Sequence, residues 1–265
     1  MIPKIIHYCW FGGNPLPKLA KKCIRSWRKF CSGYEIKEWN ESNFDISQCP
    51  LYVRQAYEAK RWAFVSDYVR LKLVYEYGGI YMDTDVELLK PLDSLLSHKA
   101  YFGFEDNGTH INTGLGFGAE KETPVLARMM ADYDTIAFYK DDGGIDETCC
   151  PQRNTVALLE LGLQADDTRQ VLQGDILILP REILCPVGYW HRKDCITEQS
   201  ISVHWYSASW LPQNYLEERD KKLRQLNRKH KVEKLKKLPN RAFLRLLGAE
   251  NYEKLKALVK NRRIG

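Results

Sequence analysis

The chain is expected to adopt an α/β fold, a mostly parallel mixed sheet flanked by helices, because strand-like and helical segments alternate along most of its length. Three observations carry that expectation. Apolar Lys4 to Trp10 is followed by a Gly-Gly-Asn-Pro turn and then by the basic amphipathic stretch Leu16 to Phe30. A long helical segment, Tyr57 to Tyr77, stops at Gly78 and gives way at once to the apolar run Ile80 to Met82. With 265 residues, of which 44% are hydrophobic, the chain can fill one full core.

The elements follow in order. Lys4 to Trp10 reads as a buried strand and Leu16 to Phe30 as a helix. Tyr34 to Trp39 alternates, with Tyr34, Ile36 and Glu38 on one side and Glu35, Lys37 and Trp39 on the other. After the Tyr57 to Tyr77 helix and the Ile80 to Met82 strand comes the acidic loop Asp83-Thr84-Asp85. Pro91 starts a short helix, Leu92 to Leu96, and Ala100 to Phe104 and Gly114 to Gly118 are strand-like. Pro124 opens a helix to Tyr139 from its first turn. Asn154 to Leu161 is a further short helix, Asp175 to Leu179 a strand ending at Pro180, and Ser202 to Trp205 the last strand.

Charge is divided unevenly. Leu211 to Gly265 holds 17 Lys and Arg against 6 Asp and Glu, a net +11, which leaves −5 on the remainder of a chain whose net charge is +6. The expected division is therefore a main domain over residues 1–212 and a basic helical extension over 213–265. The extension reads as two helices broken at Pro239-Asn240, packed on the body or turned toward an anionic membrane surface. No nucleic-acid motif accompanies its charge. Met-Ile-Pro-Lys does not open a signal peptide, and no apolar run reaches the length of a membrane span. A cytoplasmic protein is expected, peripheral at the inner face of the plasma membrane if the tail binds lipid. The eight cysteines contain no C-x-x-C, so free thiols are expected rather than a zinc site.

Asp83 and Asp85 are the sharpest chemical signal. Two carboxylates at i and i+2 just beyond a strand can clamp one divalent cation together with a diphosphate, and Mg²⁺ or Mn²⁺ accepts such oxygen donors. Aspartates are also common in turns that bind nothing. Upstream, Asp67 and Arg70 share a helical face at i and i+3. They form either a surface ion pair or a site in which Asp67 accepts from sugar hydroxyls and Arg70 faces the diphosphate.

The blocks Ser66-Asp67-Tyr68-Val69-Arg70, Gly78-Gly79-Ile80-Tyr81 and Asp83-Thr84-Asp85 together resemble glycosyltransferase family 32. Ile5 to Gly12 resembles that family's first strand, and His204-Trp205-Tyr206-Ser207-Ala208-Ser209-Trp210 its closing segment. The resemblance implies a GT-A-like nucleotide-sugar-binding fold and a metal-dependent transfer that retains anomeric configuration. It implies a nucleotide-sugar donor, UDP-linked by preference, and a saccharide or lipid-linked oligosaccharide acceptor in surface or capsular polysaccharide synthesis. Asp83, Asp85 and His204 are then the candidate metal ligands. Trp10 is the candidate for stacking on the base, Tyr81 for ribose or diphosphate, and Ser207 or Ser209 with Trp210 for the diphosphate. Asp67, Arg70, Asp85 and Asn112 are the candidate catalytic residues, with Asn112 on the donor sugar or acceptor hydroxyls. Glu105 and Asp106 are weaker candidates, and Gly143 to Thr148 resembles an acceptor-side loop.

Two other readings compete. A phosphohydrolase would use D-x-D after the first strand with Thr or Val two places beyond the second Asp, whereas Glu87 stands there. A non-catalytic nucleotide-sugar or carbohydrate binder keeps the same acidic residues without turnover.

Overall fold

The computed structural model describes residues 1–106, 108–189, 195–207, 217–226 and 228. Residues 1–210 form one compact unit and residues 211–265 a second. Within the second, residues 217–226 are helical.

The first unit is built on a seven-stranded sheet. In chain order its strands are β1 (Ile5–Cys9), β2 (Glu35–Trp39), β3 (Gly79–Tyr81), β5 (Ala100–Gly103), β6 (Phe117–Ala119), β7 (Gln170–Leu172) and β8 (Ile176–Leu179), and across the sheet they run β2-β1-β3-β6-β5-β8-β7. Five strands point one way, and only β6 and β7 are reversed. The sheet is therefore mixed and mostly parallel, as the alternation implied. A separate two-stranded sheet pairs β4 (Val86–Leu88) with β9 (Ser202–His204).

Alternate side chains leave opposite faces of each strand, so two cores form. Tyr81, Phe102, Ile176 and Ile178 enter one, against helices α2 (Leu51–Glu58), α3 (Trp62–Tyr77), α4 (Pro124–Asp134) and α5 (Cys150–Leu159). Ile80, Tyr101, Leu177 and Leu179 enter the other, with Cys23, Ile24 and Trp27 of α1 (Lys18–Phe30) and Ile183 and Leu184 of α6 (Arg181–Leu184). All eight cysteines are free, and six of them are buried.

Several boundaries differ from the sequence reading. The expected Tyr57 to Tyr77 helix is split. Helix α2 closes with the Lys60 N–H on Tyr57 O and the Arg61 N–H on Ala56 O, and Lys60 takes the left-handed conformation, φ 55°. That is a Schellman-type stop, usually marked by glycine and here made by lysine. The Gly114 to Gly118 strand moves to Phe117–Ala119, because Asn112 to Gly114 turns against the acidic loop. Helix α4 ends at Asp134 rather than Tyr139, and α5 starts at Cys150, with Pro151 in its first turn, rather than at Asn154. The short helix after Pro91 is a single 3₁₀ turn, Asp93–Leu95.

Gly79 is required by its surroundings. It sits at φ +105°, and a Cβ there would lie 2.7 Å from the Ile5 carbonyl oxygen. This close approach seats β3 beside β1 and aims the chain into the acidic loop. Among the described residues no helix is long and apolar enough to cross a membrane.

Candidate active site

Strand β3 delivers Asp83 and Asp85 beyond its carboxyl end, where ligands of open α/β sheets bind. The loop is a tight turn, with the Val86 N–H on Asp83 O (3.0 Å) and the Asp83 N–H on Gly114 O (3.2 Å). The chain then becomes β4, whose partner β9 comes from far along the sequence. The register sets Val86 opposite His204, so His204 arrives beside Asp85.

The geometry that results is compact. His204 Nε2 lies 3.1 Å from Asp85 Oδ1. The Ser207 N–H donates to Asp85 Oδ2 at 2.7 Å, and the Trp205 N–H to Asp85 O at 3.1 Å. One donor atom from each of Asp83, Asp85 and His204 lies within 4.8 Å of the others. From the other side Arg70 Nη2 reaches Asp67 Oδ1 at 2.8 Å and Asp83 Oδ1 at 3.3 Å. Its Nε donates to Ser66 O at 3.0 Å, and its guanidinium carbon stands 5.0 Å from the centre of the Tyr81 ring. Asp67 and Arg70 are thus an ion pair, but a buried one that also holds the acidic loop.

Arg70, Asp85 and His204 are buried and Asp67 and Asp83 half-buried, and their proton affinities reflect it. Burial pushes the Asp83 carboxyl up, Arg70 pulls it back only in part, and Asp85 adds repulsion. For Asp85 burial acts the same way, but His204 and the Ser207 N–H outweigh it and hold the carboxyl well below the usual range. Burial lowers His204, yet Asp85 prevails and its pKa stands above the ordinary histidine value. Burial likewise opposes the charge on Arg70, and Asp83 and Asp67 together overcome that.

A divalent cation fits this donor set. With His204 neutral, Asp67, Asp83, Asp85 and Arg70 sum to −2, the charge such an ion cancels. Adjacent ligands of an octahedral ion with bonds of 2.0–2.1 Å lie about 3 Å apart, close to the Asp85–His204 separation. The Nδ1 atom of His204 is buried without a hydrogen-bond partner, and Nε2 is the nitrogen that faces Asp85.

The third wall is Asn112-Thr113-Gly114. Asn112 Oδ1 accepts from the Gly114 N–H at 2.7 Å, and its amide donates to Glu105 Oε2 at 3.3 Å. Asn154 Nδ2 donates to Thr113 Oγ1 at 2.9 Å. Cys150 Sγ lies 3.7 Å from Arg70 Nη1 and 4.0 Å from Asn112 Oδ1, joining the cationic side to the amide side. Burial raises the Glu105 carboxyl, with the Asn112 amide opposing.

Tyr81, expected on ribose or diphosphate, is 1% exposed, and its hydroxyl donates to Asp83 Oδ1 at 3.0 Å. Trp10 follows β1 at the same sheet edge as Asp83, half-buried, with its indole N–H on Asn14 O at 2.5 Å. Ser209 and Trp210 lie outside the described residues, as does the tail beyond residue 228. Asp106 is engaged away from the metal ligands, accepting from the Tyr189 N–H at 3.1 Å and facing Arg181. In the Gly143 to Thr148 loop, Asp146 pairs with Arg153. Gly114, Thr113 and Cys150 were not singled out from the sequence. Of the three, only Gly114 is placed by the sequence, as the first residue of the strand-like Gly114 to Gly118.

Residues 17–102, which include Asp67, Arg70, Asp83 and Asp85, match the family described as the glycosyltransferase sugar-binding region containing the DXD motif. The match covers about a third of the chain. Among curated proteins it is 30% identical over 144 residues to inositol phosphoceramide mannosyltransferase 3 of Schizosaccharomyces pombe, covering 52% of this chain and 38% of that protein. Inositol phosphoceramide mannosyltransferase 1 of the same yeast is 31% identical over 111 residues, covering 38% of this chain and 33% of its own length. The chain thus spans about a third of the length of these two relatives. An uncharacterised glycosyltransferase, L373, of Acanthamoeba polyphaga mimivirus is 23% identical over 227 residues, covering 80% of this chain and 85% of that one. A solved glycosyltransferase involved in glycosylation of the major capsid of PBCV-1 superposes with a TM-score of 0.46 at 16% identity, covering 84% of this chain and all of that one.

Proposed function

We propose that this chain is a metal-dependent glycosyltransferase that moves a hexose from a nucleotide sugar to a saccharide hydroxyl. The observation that carries the reading is the meeting of Asp83, Asp85 and His204 at the carboxyl edge of the sheet, with Arg70 behind Asp83. Asp83, Asp85 and His204 would hold Mn²⁺ or Mg²⁺, which would supply positive charge to the leaving diphosphate. The protein's own residues do the rest. Trp10 stacks on the base, UDP being the favoured carrier. Arg70 offsets part of the burial that opposes charge on Asp67 and Asp83, and adds a fixed cation to the diphosphate side. Asn112 orients sugar or acceptor hydroxyls.

In the transfer the bond from the anomeric carbon to the phosphate oxygen breaks and a bond to the acceptor oxygen forms. The acceptor proton leaves with the diphosphate. A front-face route, with retention of configuration, needs no protein nucleophile. The acceptor is read as a growing surface or capsular polysaccharide or its lipid-linked precursor, at the cytoplasmic face of the membrane. Residues 1–212 form the catalytic domain in this reading, and the basic extension over 213–265 serves an anionic surface. The yeast relatives named as mannosyltransferases support hexose transfer and add GDP-mannose to the donors worth testing.

The test is nucleotide release by purified protein with Mn²⁺ across a panel of UDP- and GDP-sugars, without acceptor. Slow hydrolysis of one donor, lost in Asp83→Ala, is expected. Tight UDP binding with no turnover on any donor, with or without oligosaccharide acceptors, would leave a non-catalytic binder instead.

A further inference from the structure

Helix α1 breaks the rules by which a surface helix stabilises itself. Lys18, Lys21, Lys22, Arg25, Arg28 and Lys29 are all exposed, and the helix contains no Asp or Glu. At 3.6 residues per turn the six fall within an arc of about 120°, and at 1.5 Å per residue they span about 17 Å of one helix face. They are spaced at i+3, i+4 and i+7, and like charges at such spacings repel. Lys18, Lys21 and Lys22 also crowd the amino-terminal end, where the helix dipole disfavours cations. Pro17 precedes the helix without a side-chain cap, and no acid stands in the first turn. Among the described residues Lys22 alone of the six has a carboxylate partner, Glu87. A merely solvated face would carry mixed charge, as natural surfaces do.

The opposite face is firmly bound. Trp27 Nε1 donates to Val86 O at 2.7 Å, and Ser26 Oγ accepts from the Leu88 N–H at 2.9 Å. Helix α1 is therefore fastened to β4, the strand that leaves the Asp85 loop. Whatever the cationic arc rests on lies close to the candidate site.

We propose that the exposed face of α1 is a docking surface for an anionic lipid bilayer. The arc offers charge without any group that reads a sequence: no Asn, Gln or aromatic side chain stands on it. Half-buried Leu16, Leu19 and Phe30 border it, and lysine and arginine stems can lie along such a border while their charged ends reach headgroups. Residues 1–210 carry a net −5, so general attraction to anions does not explain this face. The inference rests on α1 alone and holds whichever donor the site uses.

The experiment is co-sedimentation of the full chain with vesicles of phosphatidylcholine, or of phosphatidylcholine mixed with phosphatidylglycerol, at low and raised salt. The key variant is Arg25→Glu. Its carboxylate would face Lys21, Lys22 and Lys29, so the helix should gain stability while the surface loses attraction. A second variant, Lys21→Ala/Arg25→Ala/Arg28→Ala, removes three cations and should weaken binding by about a hundredfold. The expected result is salt-sensitive binding to the anionic vesicles only, reduced in both variants, with thermal stability and nucleotide binding retained. Either wild-type binding by both variants or no vesicle binding by the native chain would overturn the proposal. A duplex DNA control bound as tightly, and lost equally in both variants, would overturn the assignment to lipid. Vesicle binding needs no turnover, so its failure is distinct from failure of the transferase reading.

Discussion

Gly114 offers the most selective probe of the site. A Cβ built there would lie 2.3 Å from Asp83 Oδ2, 3.0 Å from Asn112 Oδ1 and 3.1 Å from Arg70 Nη1. Carbon and oxygen pack comfortably at about 3.5 Å, so Gly114→Ala forces a displacement of about 1 Å at the first contact. Asp83 is the group that yields, since Oδ2 ends a short side chain while Oδ1 is held by Tyr81 and Arg70. The fold has little reason to suffer, because the backbone at Gly114 is not in the left-handed region. Its expected stability loss is below about 2 kcal/mol, within the range for a small overpacking change. A misplacement of about 1 Å in a catalytic group costs about a hundredfold in rate. The expected pattern is therefore a near-native urea transition, Mn²⁺ affinity reduced in calorimetry, and donor hydrolysis down by about two orders of magnitude. Native hydrolysis and native Mn²⁺ affinity in Gly114→Ala would refute the placement of Gly114 against a metal-binding Asp83.

Other substitutions separate structural from chemical roles. Arg70→Met leaves Asp67 and Asp83 as half-buried carboxylates without their cation, and urea unfolding should show a loss of about 1–3 kcal/mol. Trp10→Ala should weaken UDP binding in calorimetry by about 1–3 kcal/mol, the worth of a base–aromatic stack, while leaving the unfolding transition nearly in place. His7 provides a pH signature away from the site. Burial holds its pKa down at about 4, against 6.5 in an unfolded chain, with the Gly78 carbonyl opposing. The native state keeps it neutral, so its contribution is whole above pH 6.5 and is lost as pH falls toward 4, by about 3 kcal/mol. Urea titrations at several pH values should show His7→Gln losing less stability than the native chain across that window, and equal slopes would contradict the assignment.

Much of the fold was legible because its elements are local. Strand β1, helix α1 and strand β2 each carry their own period, and Gly78 marks the end of α3 without help from the rest of the chain. The break between α2 and α3 was not legible, since lysine occupies a left-handed position that glycine normally announces. Strand β4 is three residues long, too short for a period, and exists because β9 returns from far along the chain to meet it. The same pairing brings His204 to Asp85, which the sequence suggested only through resemblance. Tyr81 shows the limit at the level of one side chain. Its position in the motif was plain, but which face of β3 it occupies depends on the sheet, and that face is the core. Gly114 and Cys150 enter the site through tertiary contacts that no spacing reveals.

In the proposed function Asp83, Asp85 and His204 jointly hold a divalent cation against a nucleotide diphosphate. The most direct test of this is Mn²⁺ binding, followed by electron paramagnetic resonance, with and without UDP, in the native chain and in Asp83→Ala, Asp85→Ala and His204→Ala. The account predicts one Mn²⁺ per chain, bound more tightly when UDP is present, and weakened in all three variants. Mn²⁺ binding that is unaffected by UDP, or that survives unchanged in the aspartate variants, would contradict it.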